Sequence, residues 1–446
     1  MSATGLVQQF HEMLMESQYW SPQALAEYQR SQLSQLLRHA RAQVPFYARR
    51  LDPVFTPTGE IDWSRWYEIP IVTRADLIER RQSMQARELP AGHGARYEAT
   101  TSGSTGVEVT TTHNGLANMA NRAAMFRHYR RHSIDWSRTM AAWYGDVRSE
   151  AAYPEGHVGG PWGPDWEPSA RAGRFVRANR FATAEQALEL YGRYDAAYFT
   201  GRGKTAQALA LEARRLGSAQ KFDAVLGFAT AILPDEREDC ATIFGARMMG
   251  LYSSKEGHGM AHECPSGPHY HINEELALVE ILDERGHPTP VGEVGRVVVT
   301  PLLSTAQPLI RYEQGDLAVP GAACACGRTL KVIERVVGRT MHLFRFPDGS
   351  TVAPIIPDNA RPLIGAKYWQ IAQVGPLEIE VRYVANTPGY RGDVQALADI
   401  VRSRTHPDAE VRIVERATLE RVDGGKFIEY VNELPSGTRP DHASGK

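Results

Sequence analysis

Apolar residues recur at helical spacing early in the chain. Leu33, Leu36, Leu37, Ala40 and Val44 share one face of a segment that Ser21-Pro22 opens and Pro45 stops, which predicts a packing helix. From about Thr73 to Leu251 helical patterns alternate with short apolar runs. Ala206, Leu209, Ala210 and Ala213 form one helical face, Gly217 ends it, and Ala224-Val225-Leu226-Gly227 follows as a strand. That rhythm predicts an α/β fold, a sheet with covering helices.

The pattern changes near Leu276. LALVEIL and RVVVT flank the Gly/Pro-rich connection DERGHPTPVGEVG, so strand, turn and strand are expected within a mostly β subdomain. Beyond Gly338 come two strands, YWQIAQVG and LEIEVRYVA, a helix with Val394, Leu397, Ala398 and Val401 on one face, and a strand near Val411–Val414. These elements predict a small α+β domain over 338–446, after a large domain over 1–337. The tail PSGTRPDHASGK has too little apolar content to pack.

The chain's 446 residues exceed the size at which one core stops growing, which agrees with two domains. With 42% hydrophobic residues, 23% charged residues and a formal net charge of -2, no nucleic-acid partner is selected. No apolar run suits a membrane span, and the start MSATGLVQQFHEMLMESQYW lacks a signal-peptide pattern. A cytoplasmic protein without membrane or nucleic-acid partners is expected. Four cysteines are too few for a disulfide framework, leaving metal ligation or burial.

The loop Thr100-Thr101-Ser102-Gly103-Ser104-Thr105-Gly106 crowds small hydroxyl and glycine residues before the β-prone VEVTTT. Glycines let backbone N–H groups approach phosphate oxygens, and hydroxyls add neutral donors. The same composition also makes an ordinary turn. Gly201-Arg202-Gly203-Lys204-Thr205 imitates the end of a Walker loop, but Tyr198 stands where that motif needs its first glycine. Lys204 and Thr205 are therefore read as the start of a helix.

Four segments in order resemble the adenylate-forming (acyl-CoA synthetase-like) superfamily: TTSGSTG; Tyr252-Ser253-Ser254-Lys255-Glu256; Arg311-Tyr312-Glu313-Gln314-Gly315-Asp316-Leu317; and Gly425-Lys426. Gly338-Arg339 is similar to the superfamily's junction between domains. LRHARAQVPFYARRL, IPIVTRADL and CACGR resemble the phenylacetate–CoA ligase and capsule-biosynthesis branch. The resemblance spans nearly the whole chain and weakens after Arg339. It implies a large ATP- and acyl-binding domain with a β subdomain and a small mobile C-terminal domain.

The implied reaction is ATP-dependent activation of an aryl or small apolar carboxylate as an acyl-adenylate, followed by transfer to CoA. Transfer to an amine is the alternative, and a non-catalytic nucleotide-binding relative a further one. The resemblance assigns ATP phosphates to Thr101, Ser102, Gly103, Ser104, Thr105 and Gly106, and Mg²⁺ to Glu256. It assigns the ribose to Asp316, the adenine face to Tyr252, a phosphate or ribose contact to Arg339, and catalytic charge delivery to Lys426. It also leaves a homodimer open.

Two places depart from the branch. Thr230-Ala231-Ile232-Leu233 stands where a Gly-Glu pair precedes a leucine, and Thr340-Met341 where paired aspartates are common. Both bear on the acyl pocket and on the acceptor step. Trp143, Tyr144, Trp162 and Trp166 cluster in a Gly/Pro-rich stretch and suit either an apolar pocket or packing.

Cys264 lies in HECPSGPHYHINEE, and Cys324 and Cys326 lie in ACACGR. Thiolates with imidazole favour zinc. Strand alternation puts His269 and His271 on one side, either serving as fourth ligand, and the resemblance prefers His271. With no open position indicated, the expected metal is structural. Cys240 shares an apolar helical face with Ile243 and Phe244 and is read as a buried hydrophobe.

Overall fold

The computed structural model describes residues 3–101, 109–144, 150–228, 232, 234–339, 343–352, 354, 356, 358–386, 390, 392–419 and 430–434. Ser102 to Gly106, Thr230, Ala231, Leu233, Thr340, Met341, Lys426 and the tail lie outside them. Thr101 and Arg339 end strands, and their side chains are likewise not described. The described residues form two compact units, one up to Val336 and one from Val337 onward.

The first unit begins with two helices, Ala3–Ser17 and Pro22–Gln43. Ser21 caps the second by accepting from the Ala24 N–H, and Pro22 opens its first turn, satisfying donors that a helix start leaves unpaired. Its Leu33, Leu36, Leu37 and Ala40 enter a core with Val72, Val297, Val299, Ile310 and Tyr312. The helix Ala3–Ser17 packs Val7 and Leu14 with Ala123, Ala124 and Phe126 of the helix Gly115–Arg131.

A twelve-stranded sheet organises this unit. Thr139–Trp143, Phe175–Ala178, Ala196–Gly201, Ala224–Gly227 and Arg247–Ser254 pair in parallel, joined by crossovers that include the helices Ala184–Arg193 and Gly203–Leu216. The second of these ends at Gly217, whose φ of 63° is the left-handed conformation that glycine adopts without strain. The sheet then changes character along a single strand. Ala224 to Gly227 pair in parallel with Arg247 to Gly250, whereas Leu251 to Ser254 pair antiparallel with His258–Cys264.

Antiparallel pairing continues through Gly267–Ile272 and Val332–Arg339, and Tyr312–Gly321, Gly295–Pro301 and Ala277–Leu282 complete the β half. A separate hairpin pairs Arg96–Thr101 with Val109–Asn114. Cys240 opens a five-residue π-helical turn and is fully buried in an apolar cluster, which pushes its thiol up to about 12.

The second unit has a four-stranded sheet in the order Glu410–Glu415, Glu378–Ala385, Ala366–Gly375, Tyr430–Asn432. The central pair is antiparallel and both outer pairings are parallel. Leu397 and Val401 of the helix Val394–Arg404 pack with Trp369, Ile371, Ile379 and Val381, so one apolar helical stripe meets one sheet face. No helix among the described residues is long and apolar enough to cross a membrane.

Candidate functional site

The strand Arg247–Ser254 carries Tyr252 and Ser254, and a tight turn with Lys255 and Glu256 leads to His258–Cys264. Tyr252 is buried in the β-half core, and its hydroxyl donates to Asp316 Oδ2 over 2.8 Å. Ser254 Oγ donates to Gln314 Oε1 over 3.1 Å and accepts from the Gly257 N–H over 2.7 Å. Two distant segments are thereby joined side chain to side chain. Gly315 between the two acceptors has φ 74°, a conformation that a side chain would strain.

Arg311 and Tyr312 serve the frame. Arg311 is 2% exposed, donates to the Tyr67 and Ile69 carbonyls over 3.0 and 2.9 Å, and pairs with buried Glu280 over 3.4 Å. Burial raises the Glu280 carboxyl, and Arg311 works against that rise. Tyr312 is a core residue. The Arg311 carbonyl accepts from the Val72 N–H, which docks the segment IPIVTRADL beside this strand.

Thr73 and Asp76 of that segment form a reciprocal capping box on the short helix Arg74–Glu79. Arg74 Nη1 reaches 4.0 Å from Glu256 Oε1, and Glu256 is 5% exposed. A carboxylate oxygen is the kind of ligand a hard divalent ion takes next to phosphate oxygens. Arg74 and Gln314 lay within the quoted segments without a role of their own; their signal was position beside Thr73 and Asp316.

The hairpin register sets Thr101 opposite Val109, so residues 102–108 connect the two strand ends. Thr100 and Thr110 hydroxyls meet at 2.9 Å on this hairpin. Tyr97 and His113 are opposed farther down, and both line a cavity bordered by Ser253, Ser254 and Lys255. Tyr97, His113, Asn121 and His258 were not singled out from the sequence. The alternation of Thr111 and His113 on one strand face was the available sign for His113.

The aromatic cluster is used for packing. Trp162 lies against Tyr129, Trp136 and Tyr198, and Trp166 against His11 and Phe126. Trp143 donates to the Asn179 carbonyl, and Tyr144 is exposed with Arg177 over its ring. None of these four lines the cavity beside Ser253.

Cys264, His271, Cys324 and Cys326 form a second cluster, with one ligand atom from each and all within 4.8 Å of one another. Cys264 and Cys324 sulfurs are 3.8 Å apart, and Cys326 Sγ is 3.3 Å from His271 Nε2. A tetrahedral ion with metal–sulfur bonds of about 2.3 Å separates its sulfurs by about 3.8 Å, far beyond a disulfide. His271 Nδ1 lies 3.3 Å from the Leu330 carbonyl, which leaves Nε2 for a metal. His269 Nε2 lies 3.0 Å from Cys324 Sγ but falls outside the four-atom set.

Three thiolates around a divalent ion sum to one negative charge. Gln18 Oε1 accepts from Arg131 Nε and Arg328 Nε over 2.8 and 2.9 Å, and both arginines act electrostatically on His271. Arg131 Nη1 and Nη2 are buried without hydrogen-bond partners among the described residues, as suits a cation beside an anionic centre. The donor set and its surroundings therefore fit a closed thiolate-rich site.

No family model matches the chain. A phenylacetate-coenzyme A ligase of Thermus thermophilus is 27% identical over 447 residues, covering 94% of each protein. A crystal structure of 2-hydroxyisobutyryl-CoA ligase in the postadenylation state, in complex with R3-HIB-AMP, superimposes with a TM-score of 0.71 at 18% identity. That match covers 93% of this chain and 92% of the ligase. The fold is that of the adenylate-forming ligases. The amide bond synthetase McbA from Marinactinospora thermotolerans matches more distantly, with a TM-score of 0.50 at 15% identity over 72% of this chain and 66% of McbA. Within the adenylate-forming fold, the strand that changes from parallel to antiparallel pairing carries Tyr252, whose hydroxyl meets Asp316, and leads to Glu256.

Proposed function

We infer that the chain is an AMP-forming carboxylate ligase: it activates an aryl or small apolar carboxylate with ATP and passes the acyl group to CoA. The observation that carries this is the joining of Tyr252 to Asp316 beside buried Glu256, in a chain similar to a phenylacetate-coenzyme A ligase over 94% of its length.

In this reading a carboxylate oxygen attacks the α-phosphorus of ATP, and pyrophosphate leaves with the electrons of the broken P–O bond. The CoA thiol, losing its proton to solvent, then attacks the acyl carbon and AMP departs. Thr101, Ser102, Gly103, Ser104, Thr105 and Gly106 hold the phosphates, and Asp316 accepts from the ribose hydroxyls. Tyr252 offers its ring to adenine, and Arg339 contacts phosphate or ribose. Lys426 brings positive charge to the α-phosphate.

Glu256 supplies the oxygen ligand for Mg²⁺, which neutralises phosphate charge when bound. Cys264, His271, Cys324 and Cys326 hold a structural Zn²⁺ that ties the hairpin turn after Cys264 to the loop before Val332. ATP and CoA fit a cytoplasmic enzyme working on small molecules, without a nucleic-acid or membrane partner. A homodimer is tested by sedimentation of the full chain.

The deciding experiment is carboxylate-dependent ATP–pyrophosphate exchange over an acid panel, repeated with Lys426→Ala. Exchange that Lys426→Ala reduces is expected; exchange independent of every acid would overturn the reading. Likeness to an amide bond synthetase keeps one alternative, transfer to an amine. Product analysis with CoA and with amines separates the two.

A further inference from the structure

The helix Gly115–Arg131 ends on a buried cation. Arg131 is 8% exposed; its Nε donates to Gln18 Oε1 over 2.8 Å, while Nη1 and Nη2 are shielded from water and have no hydrogen-bond partner among the described residues. The same Gln18 oxygen accepts from Arg328 Nε over 2.9 Å, so one neutral amide holds two guanidinium groups side by side. Arg127, one turn earlier, places a third cation nearby, and it already pairs with both oxygens of buried Glu275 over 2.6 and 3.2 Å.

Burial, Arg127 and Arg328 act against the charge of Arg131, whereas Glu275 and Cys264 act for it. An arginine does not shed its proton, so burying one is costly unless negative charge answers it.

Cys264, His271, Cys324 and Cys326 are placed to supply that charge. His132, next to Arg131, has its Nε2 3.1 Å from the carbonyl of Glu263, next to Cys264, which docks the helix end at the first thiol. Arg328 follows Cys326 by two residues. Free thiols are mostly protonated near pH 7, whereas a divalent metal takes them as thiolates and their protons pass to solvent. Three thiolates, a neutral imidazole and the ion then sum to one negative charge. The attraction is between charges, since Arg131 makes no hydrogen bond to a sulfur among the described residues.

Gln18 also belongs to the N-terminal helix. It is fully buried just beyond Ala3–Ser17, its Nε2 donates to the Met15 carbonyl over 2.8 Å, and its own carbonyl accepts from the Thr329 N–H over 3.0 Å. Thr329 Oγ1 donates to the Trp20 carbonyl over 2.5 Å. The segment that carries Cys324 and Cys326 is therefore bonded to the end of that helix, both directly and through Arg328.

We propose that Arg131 is the counter-cation of the metal–thiolate centre, and that through Arg131 and Gln18 metal binding fastens the helix Ala3–Ser17 against Gly115–Arg131. The proposal rests on the structural-zinc reading above. Coupling of this kind is reciprocal: Arg131 strengthens metal binding by the factor by which the metal favours the seated guanidinium. An apolar side chain in its place relieves the metal-free chain of an unanswered charge and deprives the loaded chain of an attraction.

The test compares the full wild-type chain with Arg131→Met and Arg131→Lys in competition for zinc against a chromophoric chelator. Arg131→Met is expected to bind zinc at least about tenfold more weakly, within the usual span of coupling factors. Arg131→Lys keeps the charge and is expected to stay within about threefold of wild type. Unchanged binding in Arg131→Met overturns the proposal, and so does equal weakening in both variants, which marks packing rather than charge. A wild-type chain that takes up no zinc overturns the zinc reading itself. Hydrogen exchange of the wild-type chain, zinc-loaded and metal-free, covers a failure of the variants to fold. Amides of residues 3–17 are expected to exchange at least about tenfold faster without the metal, while those of the helix Val394–Arg404 keep their rate. Equal acceleration in both helices, or none over 3–17, overturns the proposal.

Discussion

Tyr252 donates its phenolic hydrogen to Asp316 Oδ2 over 2.8 Å, linking the strand Arg247–Ser254 to the strand Tyr312–Gly321. In the proposed reaction this carboxylate also accepts from the ribose, so the two residues share one acceptor. Asp316→Ala is expected to raise the KM for ATP by about 10- to 100-fold, the range for losing hydrogen bonds to a charged group. Tyr252→Phe keeps the ring and leaves the carboxylate to the ribose, and the expected increase is below about tenfold. Exchange kinetics at varied ATP measure both, and an unaltered KM in Asp316→Ala removes the ribose role.

Metal removal is expected to destabilise the first unit. Cys324→Ser should abolish bound zinc by elemental analysis and lower the melting temperature by roughly 5–15 °C, at about 2–4 °C per kcal/mol for a large unit. Cys240→Ser is the control. It alters a buried thiol apart from the cluster and should retain one zinc per chain. A wild-type chain purified without metal, and insensitive to a chelator, rules out the staple.

A buried ion pair fastens the N-terminal helix. Arg127 donates to both Glu275 oxygens, to Asn273 Oδ1 and to the Leu14 carbonyl, and neither charged side chain is exposed. Arg127→Met leaves a buried carboxylate without its cation and is expected to cost about 3–5 kcal/mol in urea denaturation. Arg127→Met with Glu275→Leu should recover part of that loss, since removing both charges avoids the uncompensated one. A double variant no more stable than Arg127→Met contradicts this account.

Acid should weaken the fold through its buried histidines. Burial holds His113 and His132 down at about 4 and also lowers His128. Unfolded, these rings titrate near 6.5. Between about 6.5 and 4 the unfolded chain therefore binds protons that the folded chain refuses. Stability is full above that window and falls as the pH drops through it, by about 1.4 kcal/mol per pH unit for each such histidine. Urea midpoints from pH 7.5 to 4.5 should fall steadily below 6.5. A flat profile shows that these imidazoles charge freely in the folded protein.

Much of the fold was legible because its signals are local. The stripe Leu33, Leu36, Leu37, Ala40 needs only helical spacing, and its burial follows. Cys264, Cys324 and Cys326 stood out by rarity, and the structure brings them within reach of His271. Arg311 was less legible. Its place beside Tyr312 suggested a signature, yet its partners are the Tyr67 and Ile69 carbonyls and Glu280, which no nearby residue specifies. The aromatic residues Trp162 and Trp166 left pocket and packing open, and stacking on Phe126, Tyr129 and Trp136 decides for packing.

The sequence by itself determined which segments become helices and strands, the order of the phosphate-loop, tyrosine and aspartate segments, and the thiols available to a metal. Tertiary structure alone decided that Tyr252 meets Asp316, that His271 rather than His269 completes the four-atom cluster, and that His113 meets His258 at one cavity. The physical reason is the range of the forces. Periodicity and capping act within a few residues, whereas these meetings depend on strand register and on which faces are buried, and those are set by packing across the whole unit.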